Sequence, residues 1–411
     1  MRLSIKLIML ALVVLISLLS LPSILKDRAF KTFNDEQLRQ RALDRSMVPI
    51  PNTYDELLKI VDSTANPMSL EKIFLGKELF FDKNLSKDKD ISCATCHLIK
   101  KENKKNSKTL LTTISTKNKT DNCTACHLEE QSGTDRLSTA VGHDGAQNPF
   151  HLNTLTILNS SLAKYLTWSG STKSIEEQAG LSITTAHEMA LNKVDVEKRL
   201  SQNKNYVEHF NLVFKDEIKE NEKTLSFENV QKAIGAYVKT LLTRSSYDRF
   251  LEGDDNAISK EAKNGLTNFI NLGCKGCHTG MSVGGQSMQR FPIRRFATIH
   301  DLRPNFTIYP KISRVEIDFP FENKGDFQGQ EITNKFRVPI LRNVTKTSPY
   351  FHNGSIDKIR DAVEIMGKNQ LGINLTNKQL DELVAFLKTL EGDIVDYTKG
   401  KKSSMRYLQN D

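Results

Sequence analysis

Every cysteine of the chain falls in one of three Cys-x-x-Cys-His motifs: Cys93-Ala-Thr-Cys96-His97, Cys123-Thr-Ala-Cys126-His127 and Cys274-Lys-Gly-Cys277-His278. Two thiols at this spacing can add across the vinyl groups of a haem while the adjacent imidazole ligates its iron, all from about one turn of backbone. Disulfides, which suit a periplasmic chain, and a thiolate zinc site would use the same cysteines. Neither accounts for a histidine directly after all three pairs. The sequence therefore predicts three covalent haem c groups, with His97, His127 and His278 as iron ligands.

A chain of 411 residues is long enough for two hydrophobic cores. Leu7 to Leu25 is an unbroken run of apolar or small residues behind Arg2 and Lys6. That is about the length needed to cross a bilayer, and it lacks a good Ala-x-Ala cleavage site. An uncleaved signal anchor is the expectation, with a cleaved signal as the alternative. Positive charge flanks both ends (Arg2, Lys6; Lys26, Arg28) and leaves orientation weakly specified. Haem attachment to Cys-x-x-Cys-His takes place outside the cytoplasm, which puts the globular part in the periplasm.

The formal charge of +9 omits the haem propionates, which would cancel most of it, so no nucleic-acid partner is read from it. A local excess lies between the first two motifs, where Lys100, Lys101, Lys104, Lys105, Lys108, Lys117 and Lys119 face only Glu102 and Asp121. It suits contact with anionic lipid or an acidic redox partner, and equally a solvated loop.

Apolar residues recur at helical spacing in Phe227, Val230, Ile234, Tyr237, Val238 and Leu241, and again in Ile258, Ala262, Leu266, Phe269 and Ile270. Thr376 and Gln379 form a capping box ahead of Leu380, Leu383, Val384 and Leu387, with Gly392 as the stop; Ser174 and Glu177 suggest another box. Strand signals are few. The predicted class is mainly α: two helical c-type cytochrome-like domains with long loops, one haem each, plus an extra haem in an insertion. Gly284 to Phe336, rich in Gly, Pro, Arg and aromatics, reads as long loops of a functional or ligand-supported kind. The expected division is an anchor at 1–25, a polar stalk at 26–66, a first cytochrome domain at 67–245 with the haem-carrying insertion at about 98–130, a second at 246–395, and a tail at 396–411.

From Leu75 to about Leu390 the chain resembles the bacterial di-haem cytochrome c peroxidases, over about three quarters of its length. The residues that carry the resemblance are Leu75-Gly-Lys-Glu-Leu-Phe-Phe-Asp82, the first and third haem motifs, Ser132-Gly-Thr-Asp135, Val141-Gly-His143, Trp168, Glu176-Glu-Gln-Ala179, His187-Glu-Met189, Tyr247-Asp-Arg-Phe250, Leu341-Arg-Asn343, Ser348-Pro-Tyr-Phe-His352 and Ala362-Val-Glu-Ile-Met-Gly367.

The resemblance implies a high-potential haem held by Cys274, Cys277 and His278 with Met366 as sixth ligand, a thioether that favours ferrous iron. It implies a peroxidatic haem in the first domain whose resting sixth ligand, matching His143, must leave before peroxide binds. Glu188 and Gln178 match the family's distal pair, a carboxylate that moves a proton between peroxide oxygens and an amide that orients the substrate. Trp168, the only tryptophan, matches the residue between the haems. Asn153 and the carbonyls of Thr347 and Pro349 match calcium ligands, an oxygen set suited to a hard cation. The implied reaction is reduction of hydrogen peroxide to water. Its electrons would come from a small periplasmic cytochrome c or copper protein, or from membrane quinol, and a homodimer is implied as well.

The chain departs from that pattern in two places. Two haem motifs, 30 residues apart by their histidines, stand where the family has one. Upstream spacing from Phe80-Phe-Asp82 makes the Cys93, Cys96, His97 haem peroxidatic; downstream spacing to Ser132-Gly-Thr-Asp135 and His143 favours the Cys123, Cys126, His127 haem. The first alignment is preferred, with His127 serving an accessory haem. Thr167-Trp-Ser-Gly-Ser171 also replaces the usual Phe-Trp-Asp-Gly-Arg and so loses an expected ion pair. The competing functions are a MauG-like oxidase of another protein, against which Met366 counts because that branch has tyrosine there, and a multihaem electron carrier without peroxidase activity.

Overall fold

The structure, a computed structural model, describes residues 31–99, 132–293 and 319–401. The Cys123, Cys126 and His127 motif and the apolar run Leu7 to Leu25 lie outside the described residues. Helices dominate, as their spacing predicts: α1 Asp35–Leu43, α2 Tyr54–Val61, α3 Leu70–Phe81, α4 Cys93–Cys96, α5 Ile175–Thr184, α6 Lys193–Ser201, α7 Lys204–Phe214, α8 Phe227–Val238, α9 Ser246–Leu251, α10 Lys260–Asn271, α11 Ile359–Met366 and α12 Asn377–Thr389. Four three-residue strands form two antiparallel pairs: β1 Thr243–Ser245 with β4 Gly392–Ile394, and β2 Met288–Arg290 with β3 Lys335–Arg337. The second pair gives the loop-rich segment after Gly284 its only regular strands among the described residues.

One packing device appears twice. Helix α3 crosses α8, and a Cβ on Gly76 would overlap the Ala233 carbonyl; helix α10 crosses α12, and a Cβ on Gly265 would overlap the Glu382 carbonyl. Glycine lets the two backbones touch at each crossing. The next turn of chain after α10, and the short loop after α3, deliver a Cys-x-x-Cys-His motif to the end of each helix pair. Around α3 and α8 the core is built of Leu75, Leu79, Phe80, Val230, Ile234 and Tyr237, with Phe210 and Phe214 from α7. Around α10 and α12 it holds Tyr247, Phe250, Leu266, Phe269, Leu383 and Phe386.

Of two buried polar nodes, the first braces the second half and the other ties the two halves together. Arg342 and Asp248 form a bidentate pair, 2.8 Å at each oxygen, with both side chains wholly buried. Thr243 Oγ1 accepts from Asn159 Nδ2 at 2.9 Å and from Asn343 Nδ2 at 2.8 Å, so one hydroxyl anchors a loop from each half beside β1.

Several expectations are corrected. Residues 31–66, read as a polar stalk, are folded onto the body: Leu38, Ala42 and Met47 join the second core, and Ile50, Leu57 and Val61 form a third cluster with Leu242 and Tyr397. The stalk reading followed mean polarity, whereas α2 hides its few apolar residues on one face. The expected transmembrane helix is not supported: among the described residues no helix is long and apolar enough to cross a membrane. Thr376 and Gln379 do form the predicted capping box. At Ser174 only half of one forms: its hydroxyl accepts from Glu177 N and donates to Glu176 Oε2, but the Glu177 carboxylate takes no bond from Ser174 N.

Candidate functional site

The Cys274–Gly276 turn starts after the left-handed Gly273 and brings His278 N to within 3.0 Å of Cys274 O. Cys274, Cys277 and His278 form one wall of a cavity of about 1640 Å³, its open mouth included, and Met366 at the end of α11 forms another. Phe269, Val338, Ile340, Leu383 and Leu387 make the remaining walls largely apolar. Interiors normally leave few voids larger than a water molecule, so this space is shaped for a large, mostly apolar occupant. Burial pushes His278 down to about 4, so the imidazole is neutral at pH 7 and can ligate a metal. Burial also pushes Cys274 up to about 12, which suits a thioether sulfur and opposes a thiolate. Cys93, Cys96, Cys274 and Cys277 are unbridged, which removes the disulfide alternative for these four. The walls have the size and apolar character to accommodate a haem bonded at Cys274 and Cys277, with His278 and Met366 both lining the space it would fill.

The first motif forms α4, opened by a Ser92 and Thr95 capping box. His97 Nδ1 lies 3.1 Å from the carbonyl of Gly133. A ring N–H donated to a backbone carbonyl fixes the tautomer and leaves Nε2 with its lone pair, the arrangement that orients metal-ligating histidines. Burial also holds the His97 pKa below its ordinary value, against the pull of the Gly133 and Leu155 backbone. Gly133 belongs to Ser132-Gly-Thr-Asp135, and Cys96 Sγ lies 3.6 Å from the carbonyl of Val141 in Val141-Gly-His143. Both downstream segments therefore rest on the His97 motif.

The expected distal residues sit on α5 and the turn after it. Glu188 is tied through its backbone carbonyl to His143 N at 2.8 Å, and its carboxylate lies within Coulombic range of Cys93 and Cys96. Gln178 accepts from Thr172 Oγ1 at 2.7 Å, and its amide nitrogen lies 3.4 Å from Ser182 Oγ. Glu188 and Gln178 are not hydrogen-bonded to each other. His143 is held beside them: its N–H donates to Glu188 O at 2.8 Å, Nδ1 lies 2.7 Å from Asp88 Oδ2, and Nε2 lies 3.0 Å from Ala186 O. Both ring partners are acceptors, so in this conformation neither nitrogen of His143 is free for a metal.

Trp168 lines the His278 cavity and donates Nε1–H to Asn153 O at 2.8 Å. Around it, hydroxyls replace the missing ion pair: Thr167 Oγ1 lies 3.0 Å from Ser171 Oγ and accepts from Ser171 N at 3.1 Å. Asn153 Nδ2 donates to Pro349 O at 2.6 Å, so two of the three expected calcium ligands meet, with Thr347 on the same loop. Sequence reading missed Asp88 and Arg337, and it gave His352, the last residue of the Ser348 to His352 segment, no role. His352 is buried among Phe319, Phe321, Phe327 and Phe336, and Arg337 lies in the cavity wall. The only signal for Arg337 was a charged residue inside the apolar run Phe336-Arg-Val-Pro-Ile340.

A glycine-crossed helix pair beside each described motif, and a buried imidazole within it, are the features of the haem-binding cytochrome c class. The sequence matches the family described as di-haem cytochrome c peroxidase over residues 70–119 and 111–256. It is 33% identical over 333 residues to cytochrome c551 peroxidase of Nitrosomonas europaea, covering 80% of this chain and 83% of that one. It is 32% identical over 348 residues to cytochrome c551 peroxidase of Pseudomonas aeruginosa, covering 84% of each. In fold it is similar to a MauG-like protein associated with microbial copper homeostasis, with TM-score 0.59, 23% identity, and 84% of this chain and 94% of that one covered. The chain belongs to the di-haem cytochrome c peroxidase family, and it is a haem peroxidase that binds haem c covalently.

Proposed function

We propose that this protein acts in the periplasm and reduces hydrogen peroxide, consuming two electrons and two protons to release two waters. The electrons come from a small redox protein, a cytochrome c or a copper protein, and arrive at the His278 and Met366 centre. The observation that carries the reading is the His97 ring, fixed through Nδ1 by Gly133, with the Glu188 carboxylate within Coulombic reach of Cys93 and Cys96. It favours Cys93, Cys96 and His97 over the second motif as the peroxidatic centre. Haem supplies there the redox-active iron at which the peroxide bond is broken. Glu188 takes a proton from one peroxide oxygen and returns it to the other. Gln178, anchored through Thr172, donates its amide N–H and orients the substrate. Trp168 lines the His278 cavity, is held by the Asn153 carbonyl, and serves electron passage.

His143 is the displaceable ligand, and its bonds to Asp88 and Ala186 are those of its displaced state. Met366 on the cavity wall supports the peroxidase over a MauG-like oxidase. A third haem at Cys123, Cys126 and His127 rests on the motif alone. A calcium ion at Asn153, Thr347 and Pro349 draws on the Asn153 contact with Pro349: turning the amide over would pair Oδ1 with that carbonyl around a cation. The homodimer belongs to the same proposal and rests on family resemblance.

The test is peroxide turnover by anaerobic, calcium-loaded holoprotein, either fully oxidised or reduced until only the high-potential haem is ferrous. Fast turnover only after that reduction supports the reading. No turnover in either state, with every iron six-coordinate, overturns it in favour of an electron carrier.

A further inference from the structure

The wall of the His278 cavity contains two arginines and no aspartate or glutamate among the described residues. Arg290 is exposed at the strand end, but Arg337 is only 2% accessible. Its Nε has no hydrogen-bond partner, and its side chain makes no ion pair among the described residues. Burial alone pushes the guanidinium down to about 10, with no nearby carboxylate to oppose it, yet it still carries its charge at neutral pH. A buried, uncompensated cation is costly, which proteins avoid by pairing it. Arg337 is also fixed in place: its backbone N–H donates to Trp168 O at 2.9 Å, and β3 pairs it with Met288.

We infer that Arg337 is the counter-ion of a propionate on the haem attached at Cys274 and Cys277, and that this haem's carboxylate edge faces the Trp168 wall of the cavity. The haem is the one occupant that matches an apolar space while carrying carboxylates, and the guanidinium fork suits a carboxylate in bidentate geometry. The pairing gives Arg337 a role in setting potential. A cation beside the propionate offsets negative charge near the iron and so favours the ferrous form, which would add to the effect of Met366. Through Trp168, whose indole donates to Asn153 O, the same strand connects the haem edge to the proposed calcium loop. The inference draws on the proposed function only in treating the His278 haem as the high-potential centre.

The test is spectroelectrochemical titration of full-length holoprotein, comparing wild type with Arg337→Met and Arg337→Lys. Arg337→Met is expected to lower the midpoint of the His278 haem. The ferrous-to-ferric ratio at fixed potential should fall on the order of tenfold, about 59 mV for one electron, while Arg337→Lys stays close to wild type. An unchanged midpoint in Arg337→Met with full haem occupancy overturns the inference, as does an equal fall in both variants, which would mark a packing role.

Should Arg337→Met fail to accumulate, redox-difference infrared spectra of wild type with isotopically labelled haem carboxylates decide. A propionate band in the guanidinium-paired position supports the pairing. Bands only of protonated or water-exposed carboxyls, or binding of a small anion at Arg337, overturn it. Peroxide turnover enters neither measurement. Loss of turnover with the potential shift intact would sink the peroxidase reading and leave this one standing.

Discussion

Replacing Asp248 with asparagine tests what holds the third haem motif, at His278, in place. Asp248 Oδ1 accepts from Ile50 N and Arg342 Nη2, each at 2.8 Å; Oδ2 accepts from Ser245 N at 2.7 Å, Ser245 Oγ at 3.0 Å and Arg342 Nη1 at 2.8 Å. Asparagine keeps the shape but points an NH2 group at donors on one side, and it leaves the Arg342 charge uncompensated where both side chains are 0% exposed. Breaking one partner of such a pair costs about 3–5 kcal/mol. Arg342 Nε also donates to Met281 O at 2.7 Å, three residues beyond His278, so loosening should reach the His278 centre before the His97 centre.

The pH dependence gives the sharper signature. Burial raises the Asp248 pKa, but the Arg342 charge and the hydrogen bonds from Arg342, Ile50 and Ser245 outweigh it, and the net shift is downward. A lowered carboxyl stabilises the fold above the unfolded pKa near 3.9 and loses that contribution as pH falls through the folded value. In wild type this contribution is therefore flat from pH 7 to 5. In Arg342→Met only burial and the local bonds remain, the carboxyl shifts upward, and stability should rise as pH falls over the same window. Urea midpoints at pH 7 and 5, read at both haem bands, check this. A cost under about 1 kcal/mol for Asp248→Asn, or the same pH slope in wild type and Arg342→Met, would refute the argument.

Glu188→Gln should lower kcat by about 10²–10⁴-fold, the ordinary contribution of a positioned acid–base group, while leaving both haem midpoints unchanged. His143→Ala should give an oxidised protein that reduces peroxide without prior reduction, seen as a five-coordinate high-spin spectrum in the resting state; a persistent six-coordinate spectrum would remove His143 from the ligand role. Gly265→Ala drives a methyl group into the Glu382 carbonyl and should destabilise by roughly 1–3 kcal/mol in a denaturant titration.

Much of the helical frame was legible because local signals and burial agreed. The stripe from Phe227 to Val238 became α8, Ile258 to Ile270 became the run into α10, and the Thr376 box opened α12 where expected. Where the signals failed, the cause was tertiary. Asn34 to Met47 is polar by average, yet Leu38, Ala42 and Met47 suffice to seat α1 on the second core, a decision made by three positions that composition dilutes.

The candidate site divides along the same line. Residues whose chemistry requires a fixed spacing, the Cys-x-x-Cys-His sets, announce themselves in sequence because one backbone turn must make every bond. Arg337 and Asp88 are set among groups distant in sequence, a cavity lined from six separate stretches of chain and a histidine 55 residues away. Spacing says nothing about them, and each looks like an ordinary charged residue until burial is known. His143 shows the intermediate case: the motif marks it as a ligand, while the fold adds that Asp88 and Ala186 compete for the same nitrogens. Whether it ligates is then a balance between iron and two hydrogen bonds, and such a balance can be shifted by the charge on a distant haem.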